Sequence, residues 1–161
     1  TVLTVGAGPC KEIEDAVKRG QMAPGVEFTA IDIDQRAIEF AKSRVAKLAS
    51  VRFERVNAMR FRSEGTFSLV YSLGLFDYLS DRAFVALARR LGNHLRPGGR
   101  LVIGNFGEFN PTRGYMEFGG WGLEHRSAAR LKRLAAESGL DGAHVTSDST
   151  GVNLFLHFSA A

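Results

Sequence analysis

The residues best suited to chemistry fall into three groups. The first is Gly6, Ala7 and Gly8, within V-G-A-G-P-C-K-E at 5–12, directly after the apolar run T-V-L-T-V. Two glycines at this spacing allow a tight turn and close approach of backbone to a ligand. A helix starting just beyond aims its free N–H groups and positive dipole end at that ligand. A strict dinucleotide fingerprint asks for a third glycine at position 11, where the chain has Lys11, so NAD is disfavoured. The second group is Asp32, 24 positions beyond Gly8 at the end of an apolar stretch. Its carboxylate could accept both hydroxyl hydrogens of a ribose, and Asp34 is the expected cap of the next helix.

The third group is the segment 107–126, which concentrates Phe109, Tyr115, Met116, Phe118 and Trp121 with Arg113, Glu117, His125 and Arg126. Loops of this length in a compact domain usually serve a site, and apolar lining with a few polar groups suits a small molecule. The alternative is a cover over the sheet edge, with Trp121 as a core anchor. Arg126, His125 and Tyr115 are the candidate catalytic residues. Arg126 or Arg113 could orient a carboxylate acceptor, which needs no general base. A hydroxyl or amine acceptor would draw on His125 or Glu117 as base, and Tyr115 adds apolar surface. His94, His144 and His157 fall on a helix end or in late strands, where packing is expected. Cys10 is expected to be a small residue at a helix start rather than a nucleophile. No Cys/His cluster has metal-ligand spacing.

These groups need a scaffold, and the hydrophobic pattern supplies one. Strands are expected at 1–5, 27–32, 51–56, 67–72, 100–106, 143–147 and 152–158. Helices are expected from Pro9 to Gly20, from Asp34 through Ile38, Ala41, Val45 and Leu48, from Ser80 or Asp81 through Leu95, and from Ser127 to Gly139. R-P-G-G at 96–99 is expected to end the third of these. Regular alternation of strand and helix predicts a doubly wound α/β sheet.

Bulk properties narrow the function. The 161 residues are 45% hydrophobic and 24% charged, suited to one globular domain over 1–161. No apolar run approaches the roughly 18–20 residues of a membrane span. The single cysteine cannot form an intrachain disulfide, so cytoplasm is the expected location. A net charge of +4 and a pI near 9.6 invite nucleic acid as a partner. The cations are interleaved with Asp and Glu, however, and the densest cluster, R-L-K-R at 130–133, fits one helix face. Nucleic acid is therefore not the expected partner; a small-molecule acceptor is. Nothing in the pattern specifies an oligomeric state.

Taken as an ordered set, V-G-A-G-P, A-I-D-I-D, V-N-A-M, F-S-L-V-Y-S-L-G-L-F-D-Y-L and L-R-P-G-G-R-L-V-I resemble the class I S-adenosylmethionine-dependent methyltransferases over nearly the whole chain. The resemblance implies a mostly parallel, Rossmann-like seven-stranded sheet with an antiparallel last strand, and S-adenosyl-L-methionine as cofactor. It implies Gly6, Ala7 and Gly8 beneath the methionine part, Asp32 on the ribose and Ile33 against adenine. It further implies Asn57, Ala58 and Met59 at the adenine edge, and Ser72, Leu73 and Gly74 near the sulfonium. Asn57 stands where the family usually has an acid, and Thr4 and Val5 occupy the place of the acid that often precedes the glycine turn. Relatives usually carry helices before the first strand, so the chain is expected to be a core lacking an N-terminal helical extension.

The stretches at 72–82, 103–106 and 110–126 are similar to bacterial methyltransferases that make 3-hydroxypalmitate methyl ester, implying a fatty-acid-like carboxylate or hydroxyl acceptor. Two other functions fit the same core: methylation of RNA or protein, and cofactor binding without catalysis in a regulatory module.

Overall fold

The structure is a computed structural model describing residues 1–161. Seven strands form one sheet: β1 (Val2–Val5), β2 (Glu27–Asp32), β3 (Ser50–Arg55), β4 (Phe67–Ser72), β5 (Leu95–Phe106), β6 (His144–Ser147) and β7 (Asn153–Ser159). Their order is β3-β2-β1-β4-β5-β7-β6. β7 runs antiparallel to both neighbours, and the pairings from β3 to β5 are parallel. The mostly parallel sheet with an antiparallel last strand is the expected one. β1 reads V-L-T-V and is buried at every position, as a central strand covered on both faces must be.

The helices are α1 (Lys11–Lys18), α2 (Gln35–Val45), α3 (Asp81–Gly92), α4 (Arg113–Phe118) and α5 (Ala128–Glu137). Three start where a side chain caps them. Asp34 accepts the N–H of Arg36, Ser80 that of Ala83 and Ser127 that of Arg130. Each such cap contributes about 1 kcal/mol. α3 and α5 pack on the larger core, where Leu3, Val70, Phe84, Leu87, Leu101, Leu131 and Leu134 are fully or almost fully buried. Each of the large side chains contributes about 1.5–3 kcal/mol of transfer free energy. α1 and α2 close a smaller core around Ile13, Ala41 and Val45 on the other side of β1–β3. No helix is long and apolar enough to cross a membrane.

Four expectations are corrected. The helix expected from Pro9 begins at Lys11, because Cys10 adopts a left-handed conformation, φ 50°, that no helix interior accepts. Leu95 belongs to β5, not to α3: it pairs with Phe67, and the register then jumps so that Leu69 meets Arg100. R-P-G-G is thus an irregularity within a strand pair rather than a helix stop. Residues 113–118, expected as loop, form α4. Leu48, expected on the face of α2, lies in the turn after its end.

Candidate active site

At the carboxyl end of β1 the chain turns at Gly6, whose φ is 63°. A Cβ there would sit 2.9 Å from Leu75 Cβ, so both conformation and space demand glycine. The turn is tied to the end of β2: Ala7 donates its N–H to the Ile31 carbonyl at 3.1 Å, and Gly8 donates its N–H to Asp32 Oδ2 at 2.8 Å. Asp32 Oδ1 accepts the N–H of Asp34 at 2.9 Å. Each carboxylate oxygen therefore holds one backbone donor and keeps a lone pair for another, with its rotamer fixed in advance.

Beside Asp32 lies a cavity of about 230 Å³, lined by six of the sequence-predicted or adjacent residues, Gly6, Asp32, Ile33, Asn57, Ala58 and Met59, and closed by Leu75, Leu79 and Leu87. Asn57 Oδ1 accepts the N–H of Met59 at 2.8 Å and its Nδ2 has no protein partner, so the carboxamide presents a donor where an acid would present an acceptor. Ile33 is 62% exposed and forms an apolar rim.

Residues 72–74 divide. Ser72 is wholly buried and its hydroxyl donates to the Val5 carbonyl at 2.8 Å, which locks β4 to β1 and removes the side chain from the site. The Leu73 side chain lies with Tyr71 and Val102 in a separate groove. The Leu73–Gly74 backbone crosses Gly104 of β5, where a Cβ would come within 2.9 Å of the Leu73 carbonyl oxygen.

Segment 107–126 emerges from β5 at the same end of the sheet. Phe106, Thr112, Tyr115, Met116, Gly119 and Trp121 line a second cavity of about 350 Å³. Tyr115 is there, though 82% exposed. Arg113 is paired with Glu117 at 2.8 Å within α4. His125 and Arg126 are not available as expected. His125 is buried, with Nε2 3.1 Å from Asn110 Nδ2 and Nδ1 3.1 Å from the Leu123 carbonyl. The carbonyl can only accept, so Nδ1 carries the proton and Nε2 accepts from Asn110. With both nitrogens engaged, His125 pins Asn110, which in turn accepts from Thr112 at the start of α4.

Arg126 is wholly buried. It donates to Asp81 Oδ1 at 3.0 Å, the Phe76 carbonyl at 2.9 Å, Asn105 Oδ1 at 2.7 Å and the Leu79 carbonyl, and its guanidinium lies 5.1 Å from the Phe84 ring centroid. These partners use four of its five N–H groups. The role of acceptor anchor expected for Arg126 is therefore withdrawn: it is an internal brace. Asp81 also binds Arg130. Desolvation opposes ionisation of Asp81, but the bonds from Arg130 and Arg126 outweigh it and hold its carboxyl below the ordinary range.

The turn 75–79, inside the stretch 72–82, carries the brace, a role that no expectation assigned to it. Phe76–Tyr78 form a single 3₁₀ turn. Asp77 is buried, accepts the Phe106 N–H at 2.6 Å and is raised above the usual carboxylate range by burial. The Tyr78 oxygen accepts the Trp121 Nε1–H at 2.8 Å. Polar Asp77 and Tyr78 inside the otherwise apolar L-G-L-F-D-Y-L were the available signal. Cys10 is buried and its thiol is pushed up to about 12, chiefly by burial and then by the Glu12 and Asp32 carboxylates. It is not a nucleophile at neutral pH.

Comparison with known proteins gives these features a family. Residues 2–99 match the family described as Methyltransferase domain. The chain belongs to that family. It is 30% identical over 102 residues to a trans-aconitate 2-methyltransferase of Deinococcus radiodurans, a match covering 63% of this chain and 36% of that protein. Among solved structures, a protein from Bordetella parapertussis described as a possible exported protein superposes with a TM-score of 0.81 at 21% identity, over 99% of this chain and 61% of that one. The magnesium protoporphyrin IX methyltransferase of Synechocystis PCC 6803 with bound S-adenosylhomocysteine gives 0.73 at 13% identity, over 99% and 74%. The chain thus spans little more than a third of the length of its curated relative.

S-adenosyl-L-methionine is the cofactor of this methyltransferase domain, and the cavity beside Asp32 suits the nucleoside part. It offers a strand-end carboxylate with free lone pairs, apolar surface from Ile33, Ala58 and Met59, and a turn at Gly6 that a Cβ would obstruct.

Proposed function

We infer that the chain transfers a methyl group from S-adenosylmethionine to a small, largely apolar acceptor carrying a carboxylate or hydroxyl. The observation that carries this reading is the pair of cavities joined by the turn 75–79, whose Leu75 and Leu79 line the first while Tyr78 braces Trp121 of the second. In this reading Asp32 holds the ribose hydroxyls, Ile33, Ala58 and Met59 pack on the adenine, and Asn57 Nδ2 donates to its edge. Gly6, Ala7 and Gly8 run beneath the methionine part, with the backbone of Leu73 and Gly74 beside the reacting centre. When bound, the cofactor would supply the methyl group from its sulfonium, whose S–CH₃ electron pair would stay on sulfur; a carboxylate acceptor has no proton to lose, whereas a hydroxyl would release its proton to solvent.

The chain's contribution is positioning and exclusion of water, which can supply much of the rate for an in-line displacement. Phe106, Met116 and Trp121 give the acceptor an apolar bed. One relative is named for a small organic acid, trans-aconitate. The narrower resemblance to enzymes making 3-hydroxypalmitate methyl ester agrees with an apolar bed and favours a fatty-acid-like acceptor. The reading is tested by incubating cell extract with the protein and methyl-labelled S-adenosylmethionine, then searching for labelled products by mass spectrometry. Label on a carboxylate or hydroxyl oxygen of a small apolar molecule is the expected result; label confined to RNA or protein overturns it.

A further inference from the structure

Tyr78 stands between the two cavities, and the proposed cofactor contacts do not call on it. Its oxygen accepts the Trp121 indole N–H at 2.8 Å, and its own hydroxyl hydrogen has no acceptor within the protein. The side chain is 59% exposed. It stands on the turn whose Leu75 and Leu79 line the nucleoside cavity, and its indole partner lines the second cavity. The turn beneath it is held firmly. Arg126 binds the carbonyls of Phe76 and Leu79, Asp77 accepts the Phe106 N–H, and the Asp77 carbonyl accepts the Glu124 N–H at 2.8 Å. A hydroxyl on so constrained a support suits orientation of a substrate, and an O–H whose oxygen already accepts a hydrogen bond is the stronger donor for it.

We propose that Tyr78 donates its hydroxyl to a carboxylate of the methyl acceptor, making a carboxylate oxygen the methylated atom; the proposal rests on the methyltransferase reading above. One oxygen of the acceptor receives the Tyr78 hydrogen bond while the other faces the methyl carbon. A carboxylate has a lone pair for each task and no proton to lose. An ammonium has no lone pair for Tyr78. An alcohol must release a proton, and of the two expected bases His125 has both nitrogens engaged by Asn110 and Leu123 while Glu117 is paired with Arg113. Carboxylate is the head group that this arrangement serves without a base.

The test uses three probes with one apolar body, decanoate, decanol and decylamine, titrated into protein saturated with S-adenosylhomocysteine. Emission of Trp121, the only tryptophan in the chain, reports binding. Decanoate is expected to bind saturably and in preference to the other two. Tyr78→Phe is expected to weaken decanoate about tenfold or more, the effect of losing a hydrogen bond to a charged group, and to weaken decanol clearly less, so that the preference for the carboxylate falls. S-adenosylhomocysteine affinity of the variant, measured by calorimetry, is expected to match wild type, which also shows that it folds. Equal decanoate affinity in the variant, no preference for the carboxylate, or no saturable response overturns the proposal. Failure of the wild type to bind S-adenosylhomocysteine overturns the methyltransferase reading itself, and the proposal with it.

Discussion

Gly8 donates its N–H to the carboxylate of Asp32 at 2.8 Å, joining the glycine turn after β1 to the acid at the end of β2. The bond makes Asp32 a structural tie, and the proposed function makes it the ribose ligand as well. Asp32→Ala is expected to weaken S-adenosylhomocysteine binding by about 1.5–3 kcal/mol, the range for hydrogen bonds to a charged group. Calorimetry checks this, and an unchanged affinity would move the ribose contact elsewhere.

Gly6→Ala is expected to impair the same affinity by a different route. The left-handed backbone alone costs about 1–2 kcal/mol for a residue with a Cβ. The Cβ would also press on Leu75 at 2.9 Å and displace the wall of the cavity. Calorimetry with S-adenosylhomocysteine and urea unfolding together measure the two parts; wild-type values in both would show that the turn relaxes freely.

Arg126→Met is expected to destabilise the fold by several kcal/mol, at about 1–3 kcal/mol for each buried acceptor left without its donor, while Asp81 keeps Arg130. It leaves Asn105 and the carbonyls of Phe76 and Leu79 without their donor. Urea midpoints measure the loss. A stable variant with altered acceptor kinetics alone would return Arg126 to the role of substrate anchor.

Stability is expected to fall with acidity in two windows. His94 and His157 are lowered below 6.5, first by desolvation and then by nearby positive charge, Arg90 for His94 and His144 with Arg100 for His157. The unfolded chain therefore binds these protons first, and stability declines as pH drops below about 6.5. Asp148 is lowered to about 2 by hydrogen bonds from Asn153 and Thr150. Its contribution is present above the unfolded value of 3.8 and is lost as pH falls through about 2. Thermal unfolding across pH 2–8 checks both windows, and His157→Gln should flatten the upper one.

The turn at Gly6 and the acid at the end of β2 were legible in the sequence because backbone geometry dictates residue type there, glycine at a positive φ and a carboxylate at a strand end, whereas Asn57 to Met59 came only with the family resemblance. The segment 107–126 was legible only as a location. His125 and Arg126 sit in a glycine-rich, aperiodic segment, where nothing local distinguishes a buried polar side chain from an exposed one. The partners that bury Arg126 lie 21 to 50 positions away, at Asn105, Asp81, Leu79 and Phe76. Leu95 was misread for a related reason. Pro97 and the glycines after it resemble a helix stop, whereas the pairing of Leu95 with Phe67 that makes the stretch a strand is a long-range bond.

The shared wall at 75–79 also has a thermodynamic meaning. Leu75 and Leu79 face one cavity and Tyr78 steadies Trp121 at the other, so in the proposed function the two occupants would not meet independent surfaces. To the extent that one ligand shifts this turn, it changes the affinity for the second by some factor, and linkage requires the second to change the first by the same factor. Cooperativity between donor and acceptor would then be a property of five consecutive residues.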